Sequence, residues 1–217
     1  MHGGYEIFQG EPDETYRERK AERADVCLWC GKHSDIDRYS VAFTALRTDM
    51  GEIINHGIDP VWNENSSVLI LGSFPSVKSR ETSFFYGHKQ NRFWRVIAEL
   101  FCCEVPETVD DKKQLLLKNR IALWDVIASC EITGSSDSSI RNVTANNIVP
   151  IINSSRIKAI FTNGATADRL YNRYIYPQTR IKSVKLPSTS PANAAKSFDK
   201  LLSDWAIVKD AVFDTSS

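Results

Sequence analysis

The stretch Val68-Leu69-Ile70-Leu71-Gly72, running into Ser73-Phe74-Pro75-Ser76, decides the fold class. Four apolar residues in unbroken succession, closed by glycine and a Ser/Pro turn, have the pattern of a short strand buried on both faces. Three further runs carry the same signature: Ile121 to Ile127 (IALWDVI), Ile157 to Phe161 (IKAIF) and Ile181 to Leu186 (IKSVKL). Helical periodicity fills the gaps. Phe93, Val96, Ile97, Leu100 and Phe101 recur at i, i+3, i+4, i+7 and i+8, an amphipathic stripe. Pro106 is expected to open a second helix, Ala165–Tyr174 fits a third, and Asn193 to Phe213 fits a long closing one. Strands alternating with helices predict a three-layer α/β/α fold around a central, mainly parallel four-stranded sheet.

Such sheets bind ligands beyond the carboxyl ends of their strands. Here those ends lead into Gly72-Ser-Phe-Pro-Ser76, Ser129-Cys-Glu131, Thr162-Asn-Gly164 and Pro187-Ser-Thr-Ser-Pro-Ala-Asn193. Small, polar and turn-forming residues therefore collect on one edge of the sheet, where the site is expected.

At 217 residues and 42% apolar content, the chain supports one sizeable core. Two regions are expected: an N-terminal extension over residues 1–55, partly ordered, and a main domain over 56–217. The extension holds ten charged residues between Glu11 and Asp25 and a Cys27-Leu-Trp-Cys30-Gly31 turn. Cys27, Cys30 and His33 have the shape of half a zinc site, but tetrahedral zinc needs four ligands and no second cysteine pair has suitable spacing. Free thiols, no metal and no diffusible cofactor are the expectation. Lys plus Arg (27) balance Asp plus Glu (27), which argues against a scaffold that coats nucleic acid over its whole surface. An odd count of five cysteines, no apolar leader after Met1 and no membrane-length apolar run suggest a soluble intracellular protein, cytoplasmic or nuclear.

The segment from Gly72 to Trp94 reads GSFPSVKSRETSFFYGHKQNRFW, with Arg95 just beyond. Basic residues (Lys78, Arg80, Lys89, Arg92, Arg95) against a single acid, Glu81, interleave with aromatics. That mixture suits a surface that grips phosphates and stacks a base, and equally a core-facing aromatic cluster with solvated charges. The ordered motifs are more specific. Gly-x-x-Pro-x, then an aromatic, then His-x-x-Asn-Arg-Phe-Trp, resembles the mismatch-specific uracil and thymine DNA glycosylases of the uracil-DNA glycosylase superfamily. With ALWDVIASCEI, GSSDSSI and LPSTSPANA following in order, the chain is similar to the hypoxanthine-DNA glycosylase branch over roughly residues 56–208.

The resemblance implies a monofunctional DNA repair enzyme that extrudes a deaminated nucleotide and hydrolyses its N-glycosidic bond, acting on DNA, away from membranes and as a monomer. It implies a pocket floor at Gly72, Ser73 and Phe74, stacking of the flipped base on Tyr86, and a loop from Ser188 through Thr189, Ser190 and Pro191 pressed into the minor groove. One departure matters. Phe74 stands where the mismatch-specific relatives carry the Asn that orients water, and a phenyl ring has no hydrogen-bonding group. Asn91 is the first candidate to replace it. Asp125 is the second, as an acceptor of a purine N–H or a stabiliser of the sugar cation; a purely structural role for it stays open. Asn163 either faces the pocket or forms the turn with Gly164, and the glycine favours the turn. His88 either contacts phosphate or caps a helix; Lys78, Arg80 and Arg92 either track DNA phosphates or are solvated. Competing readings are a uracil- or xanthine-specific enzyme of the same fold and a non-catalytic module for damaged DNA. A serine hydrolase using Ser73 or Ser188 lacks a Gly-x-Ser-x-Gly elbow and a late histidine.

Overall fold

The computed structural model describes residues 53–133 and 137–214. The expectations placed on Cys27, Cys30 and His33, and on most of the 1–55 extension, lie outside the described residues.

The central sheet is parallel, with strand order β3-β2-β6-β7: β2 is Val68–Gly72, β3 Ile121–Asp125, β6 Ala159–Asn163 and β7 Ser183–Leu186. All five residues of β2 are buried, as an unbroken apolar run requires of a central strand. The strand's period of two divides its side chains between two cores. Val68 and Ile70 join Ile121, Leu123 and Phe161 on one face, whereas Leu69 and Leu71 join Ala122 and Ile160 on the other. At about 2 kcal/mol for each fully buried aliphatic, these four β2 side chains contribute about 8 kcal/mol against chain entropy.

The first face is covered by α2 (Phe93–Leu100), α3 (Val109–Lys118) and α7 (Phe198–Phe213), which supply Phe93, Leu116, Leu201 and Trp205 to its core. The short α1 (Val77–Glu81) precedes them. The second face is covered by α4 (Val149–Asn153), α5 (Ala165–Tyr174) and the single turn α6 (Tyr176–Thr179), with Leu170 and Tyr171 packed inward.

Several boundaries differ from expectation for identifiable reasons. The run Ile121 to Ile127 is two strands. β3 ends at Asp125, and β4 (Ile127–Glu131) starts after one residue in a separate antiparallel sheet with β1 (Ile53–Asn55) and β5 (Arg141–Ala145), ordered β1-β4-β5. Apolar continuity cannot reveal that crossing, because both strands bury Ile127-type side chains against the same core. The pairing of β1 with β4 carries the folded body at least to Ile53. Thr108, not Pro106, starts α3: its hydroxyl accepts from the Asp111 N–H while the Asp111 carboxylate accepts from the Thr108 N–H, a reciprocal capping box. The closing helix starts at Phe198 with Ser197 as its cap; Asn193 to Ser197 belongs to the preceding loop. The last strand begins at Ser183, two residues after Ile181.

Candidate active site

The chain direction across the sheet reverses between β2 and β6, and a crevice opens beyond their carboxyl ends. The last residues of three parallel strands, Gly72, Asp125 and Asn163, line one cavity of about 450 Å³, and Ser188 beyond β7 completes that rim. Phe74, Tyr86, His88, Asn91 and Thr189 line it too. Most of the expected site residues are thus gathered in one place.

Gly72 is required by the approach of its neighbours. A Cβ there would lie 2.2 Å from Asp125 Oδ1 and 3.2 Å from the Tyr86 hydroxyl, so the carboxylate and the phenol converge over the glycine backbone. Asp125 is only 4% exposed. It is held from behind: Asn146 Nδ2 donates to the Asp125 carbonyl (2.9 Å), the Asn146 N–H donates to the Val126 carbonyl (2.8 Å), and His56 Nε2 lies 3.3 Å from Asn146 Nδ2. Neither Asn146 nor His56 was foreseen as a support, since nothing in the sequence ties residues 56, 125 and 146 together. Burial holds the His56 pKa below its usual 6.5, against the opposing effects of the Ile127 backbone and Asp59.

Tyr86 stacks on Phe93 with centroids 4.0 Å apart and planes 23° from parallel, so one ring face is occupied by protein. Its backbone has φ +52°, a left-handed conformation that costs an aromatic residue about 1 kcal/mol, sustained by that packing. Its hydroxyl is buried without a hydrogen-bond partner of acceptable geometry among the described residues. Burial, then the Asp125 charge, push the phenol's pKa far above its usual range, opposed by the Asn163 amide.

Asn91 Oδ1 accepts from the Phe93 N–H at 3.0 Å, pinning the side chain at the start of α2 while leaving its NH₂ group available. Asn163 makes a two-way clamp with the closing loop: Nδ2 donates to Thr189 Oγ1 (2.9 Å) and Oδ1 accepts from the Thr189 N–H (3.0 Å). It therefore lines the pocket, and the neighbouring turn belongs to Gly164, whose φ is +100° and whose added Cβ would meet Ser188 Cβ at 3.0 Å.

The basic residues divide. Arg92 donates to the carbonyls of Ser190 (3.3 Å), Asn193 (2.9 Å) and Lys196 (2.6 Å), and its N–H donates to the Thr189 carbonyl. The expected phosphate contact is corrected accordingly: this guanidinium folds the closing loop, because those carbonyls have no strand or helix partner at hand. Arg80 likewise donates to the Pro75 carbonyl at 2.7 Å and sits over Phe74. Lys78 is exposed and paired with Glu81 at 2.6 Å. His88 lines the cavity, with Nδ1 accepting from the Gln90 N–H. In the closing loop Ser188 Oγ accepts from the Ser190 N–H and Ser190 Oγ from the Ala192 N–H. Pro191 is exposed beside them, and Trp205 Nε1 anchors the loop's start through the Pro187 carbonyl.

A family model described as the uracil DNA glycosylase superfamily matches residues 60–210. The chain belongs to this superfamily. Among its relatives, a hypoxanthine DNA glycosylase from Methanosarcina acetivorans is 33% identical over 165 residues, which span 72% of this chain and 98% of that protein. A hypoxanthine DNA glycosylase from Methanosarcina barkeri is 33% identical over 91 residues, 42% of this chain and 58% of that one. The solution NMR structure of a Methanosarcina acetivorans protein assigned to the uracil DNA glycosylases superposes with a TM-score of 0.64 at 30% identity, covering 74% of this chain and 99% of that one. The match spans the parallel sheet and all the pocket residues named above. Among the described residues no helix is long and apolar enough to cross a membrane, and no group of three His, Cys, Asp or Glu side chains stands ready to hold a metal ion.

Proposed function

We propose that this member of the superfamily is a monofunctional glycosylase that removes deaminated bases from DNA, hypoxanthine first among them, and acts as a monomer. The observation that carries the reading is the placement of the Asp125 carboxylate at the cavity floor, between Gly72 and the Tyr86 hydroxyl. Deamination of adenine converts the ring N1 from an acceptor to an N–H donor. A fixed carboxylate accepts from hypoxanthine N1–H and repels the N1 lone pair of adenine, so one buried group separates lesion from parent base. The names of the Methanosarcina relatives support the same base.

Extrusion of the nucleotide brings the base over Tyr86 and the deoxyribose to the mouth of the cavity. The C1′–N9 bond breaks with its electron pair passing to the purine, leaving oxocarbenium character on the sugar. Asp125 lowers the energy of that cation across the pocket. Asn91, with Oδ1 held by the Phe93 N–H, directs its free amide toward the attacking water. The water oxygen bonds to C1′ and gives up a proton to solvent while the departing purine anion takes one from solvent, so the products are free hypoxanthine and an abasic site. Among the described residues no lysine lines the cavity, which supports hydrolysis without a Schiff-base step. Ser188, Thr189, Ser190 and Pro191 meet the DNA backbone around the extruded nucleotide, with Lys78 and His88 at the rim.

End-labelled duplexes carrying one deoxyinosine, deoxyuridine, deoxyxanthosine or G·T mismatch, followed by alkaline cleavage, test this. Cutting is expected first at inosine. Asn91→Ala should lower the single-turnover rate about 10²–10³-fold, the range for loss of one preorganised polar group, with a stability loss of only about 1 kcal/mol from the missing helix-start contact. Retained affinity for damaged DNA with no cutting of any substrate would make the chain a recognition module.

A further inference from the structure

We infer that a groove between β5 and α5, outside the pocket, holds phosphates of the DNA flanking the flipped nucleotide; the choice of DNA as ligand rests on the proposed function. Arg141 on β5 and Arg169 and Arg173 on α5 line one concavity of about 790 Å³, floored by Ile140, Val143 and Leu170. All three arginines are exposed. None makes an ion pair or donates a side-chain hydrogen bond to a described residue, unlike Arg92 and Arg80 with their bound carbonyls. The nearby acids are turned to other work. Glu131 faces Arg141 in the strand register but accepts from Asn142 Nδ2 at 2.7 Å. Asp168 on α5 accepts from the Thr162 and Ser183 hydroxyls on the sheet side.

Concentrated positive charge without an ion pair among the described residues is unusual for a chain with no net charge. Arg169 and Arg173 are also one helical turn apart, a like-charge spacing that weakens a helix by a few tenths of a kcal/mol. Arg173 gains from its place in the last turn of α5 and from the Tyr174 ring, 5.1 Å from its guanidinium; an anion between the two guanidiniums offsets their mutual repulsion. The groove starts close to the site along the chain. It begins at Ala165, two residues after Asn163 in the pocket and next to Gly164, which abuts Ser188 of the closing loop. Arg169 and Arg173 follow at about 6 and 12 Å along the helix. A strand leaving the pocket over Gly164 therefore meets Arg169 and then Arg173, with Arg141 on the opposite wall. Guanidinium forks match phosphate oxygens in geometry as well as charge.

The test is fluorescence anisotropy of the full chain on a 30-base-pair duplex, with and without a central deoxyinosine, between 50 and 200 mM KCl. The variant replaces Arg141, Arg169 and Arg173 together with Gln. The control replaces Lys118, Lys158 and Lys182, which precede β3, β6 and β7 at the opposite edge of the sheet. Each phosphate contact adds about 0.9 to the slope of log K against log salt, so the arginine variant should flatten that slope by about 2–3 on both duplexes. Its Tm should stay within about 4 °C of the parent's, since Arg173 gives up its ring and helix-end contacts, and its single-turnover rate on saturating inosine DNA should be unchanged. An unchanged slope, or an equal flattening in the lysine control, overturns the proposal. Because undamaged duplex reads the groove without catalysis, absence of glycosylase activity in the parent would overturn the enzymatic reading and leave this result standing by itself.

Discussion

Replacing Gly72 with alanine tests how closely the pocket floor is built. The added methyl would lie 2.2 Å from Asp125 Oδ1, whereas ordinary contact begins near 3.4 Å, so the carboxylate must retreat by about 1 Å. The backbone cannot give way easily, since Gly72 and Asp125 are register partners in adjacent buried strands and the Asp125 carbonyl is tied to Asn146. The Tyr86 hydroxyl, 3.2 Å from the same methyl, closes the other direction. Overpacking of this kind costs about 2 kcal/mol, a fall in Tm of about 4–8 °C for a domain of this size. Catalysis should suffer more, because a 1 Å misplacement of a group that meets substrate lowers rates about 10²-fold. The assay pairs thermal unfolding with single-turnover cleavage of an inosine duplex, and adds the Gly72→Ala/Asp125→Ala double variant. If the clash is with the carboxylate, truncating Asp125 relieves it, and the two stability effects should couple by about 1 kcal/mol or more. A Gly72→Ala protein with the parent's Tm and a rate within about threefold would refute the reasoning, and strict additivity would place the clash elsewhere.

Other perturbations separate structure from chemistry. Arg92→Lys should cost about 2–3 kcal/mol, because one ammonium cannot serve three carbonyls held by a planar fork; amide exchange in Ser190 to Asn193 should accelerate with the fall in Tm. Tyr86→Phe removes a buried hydroxyl that has no partner of acceptable geometry among the described residues, so Tm should hold or rise slightly; a loss above about 1 kcal/mol would show that the hydroxyl is satisfied in the folded protein. His56 has a lowered pKa when folded, so the unfolded chain binds its proton more readily. Stability should be full above pH 6.5 and decline as pH falls through that value; His56→Gln should shrink the difference in Tm between pH 7.5 and 5.0, and an undiminished difference would assign the acid sensitivity to other groups.

The parallel sheet was legible because a doubly buried strand must be apolar without interruption, and Val68 to Leu71 satisfy that with no ambiguity. Helix Ala165–Tyr174 was legible to the residue, since a glycine before it and a regular stripe within it fix both ends. The second sheet was not. β5 (RNVTA) is polar and half exposed, β1 is three residues long, and β4 continues the apolar run of β3, so neither composition nor period marks them. At the site, residue types and loop positions brought most candidates to one cavity, but sequence carries no sign of where a side chain points. Arg92 and Arg80 have the charge of phosphate contacts and the geometry of loop braces, and the arginines of the β5–α5 groove, Arg141, Arg169 and Arg173, lie in stretches with no motif.

The floor of the pocket is assembled from the final residues of separate strands, so the sheet's register is also its chemistry. Sliding β3 by one residue against β2 would bring Trp124 or Val126 to the place of Asp125, and neither side chain carries a charge. On the proposed mechanism, a molecule that folds with such an error has no carboxylate at the pocket floor, so recognition of the purine N1–H and support of the sugar cation are lost in one step.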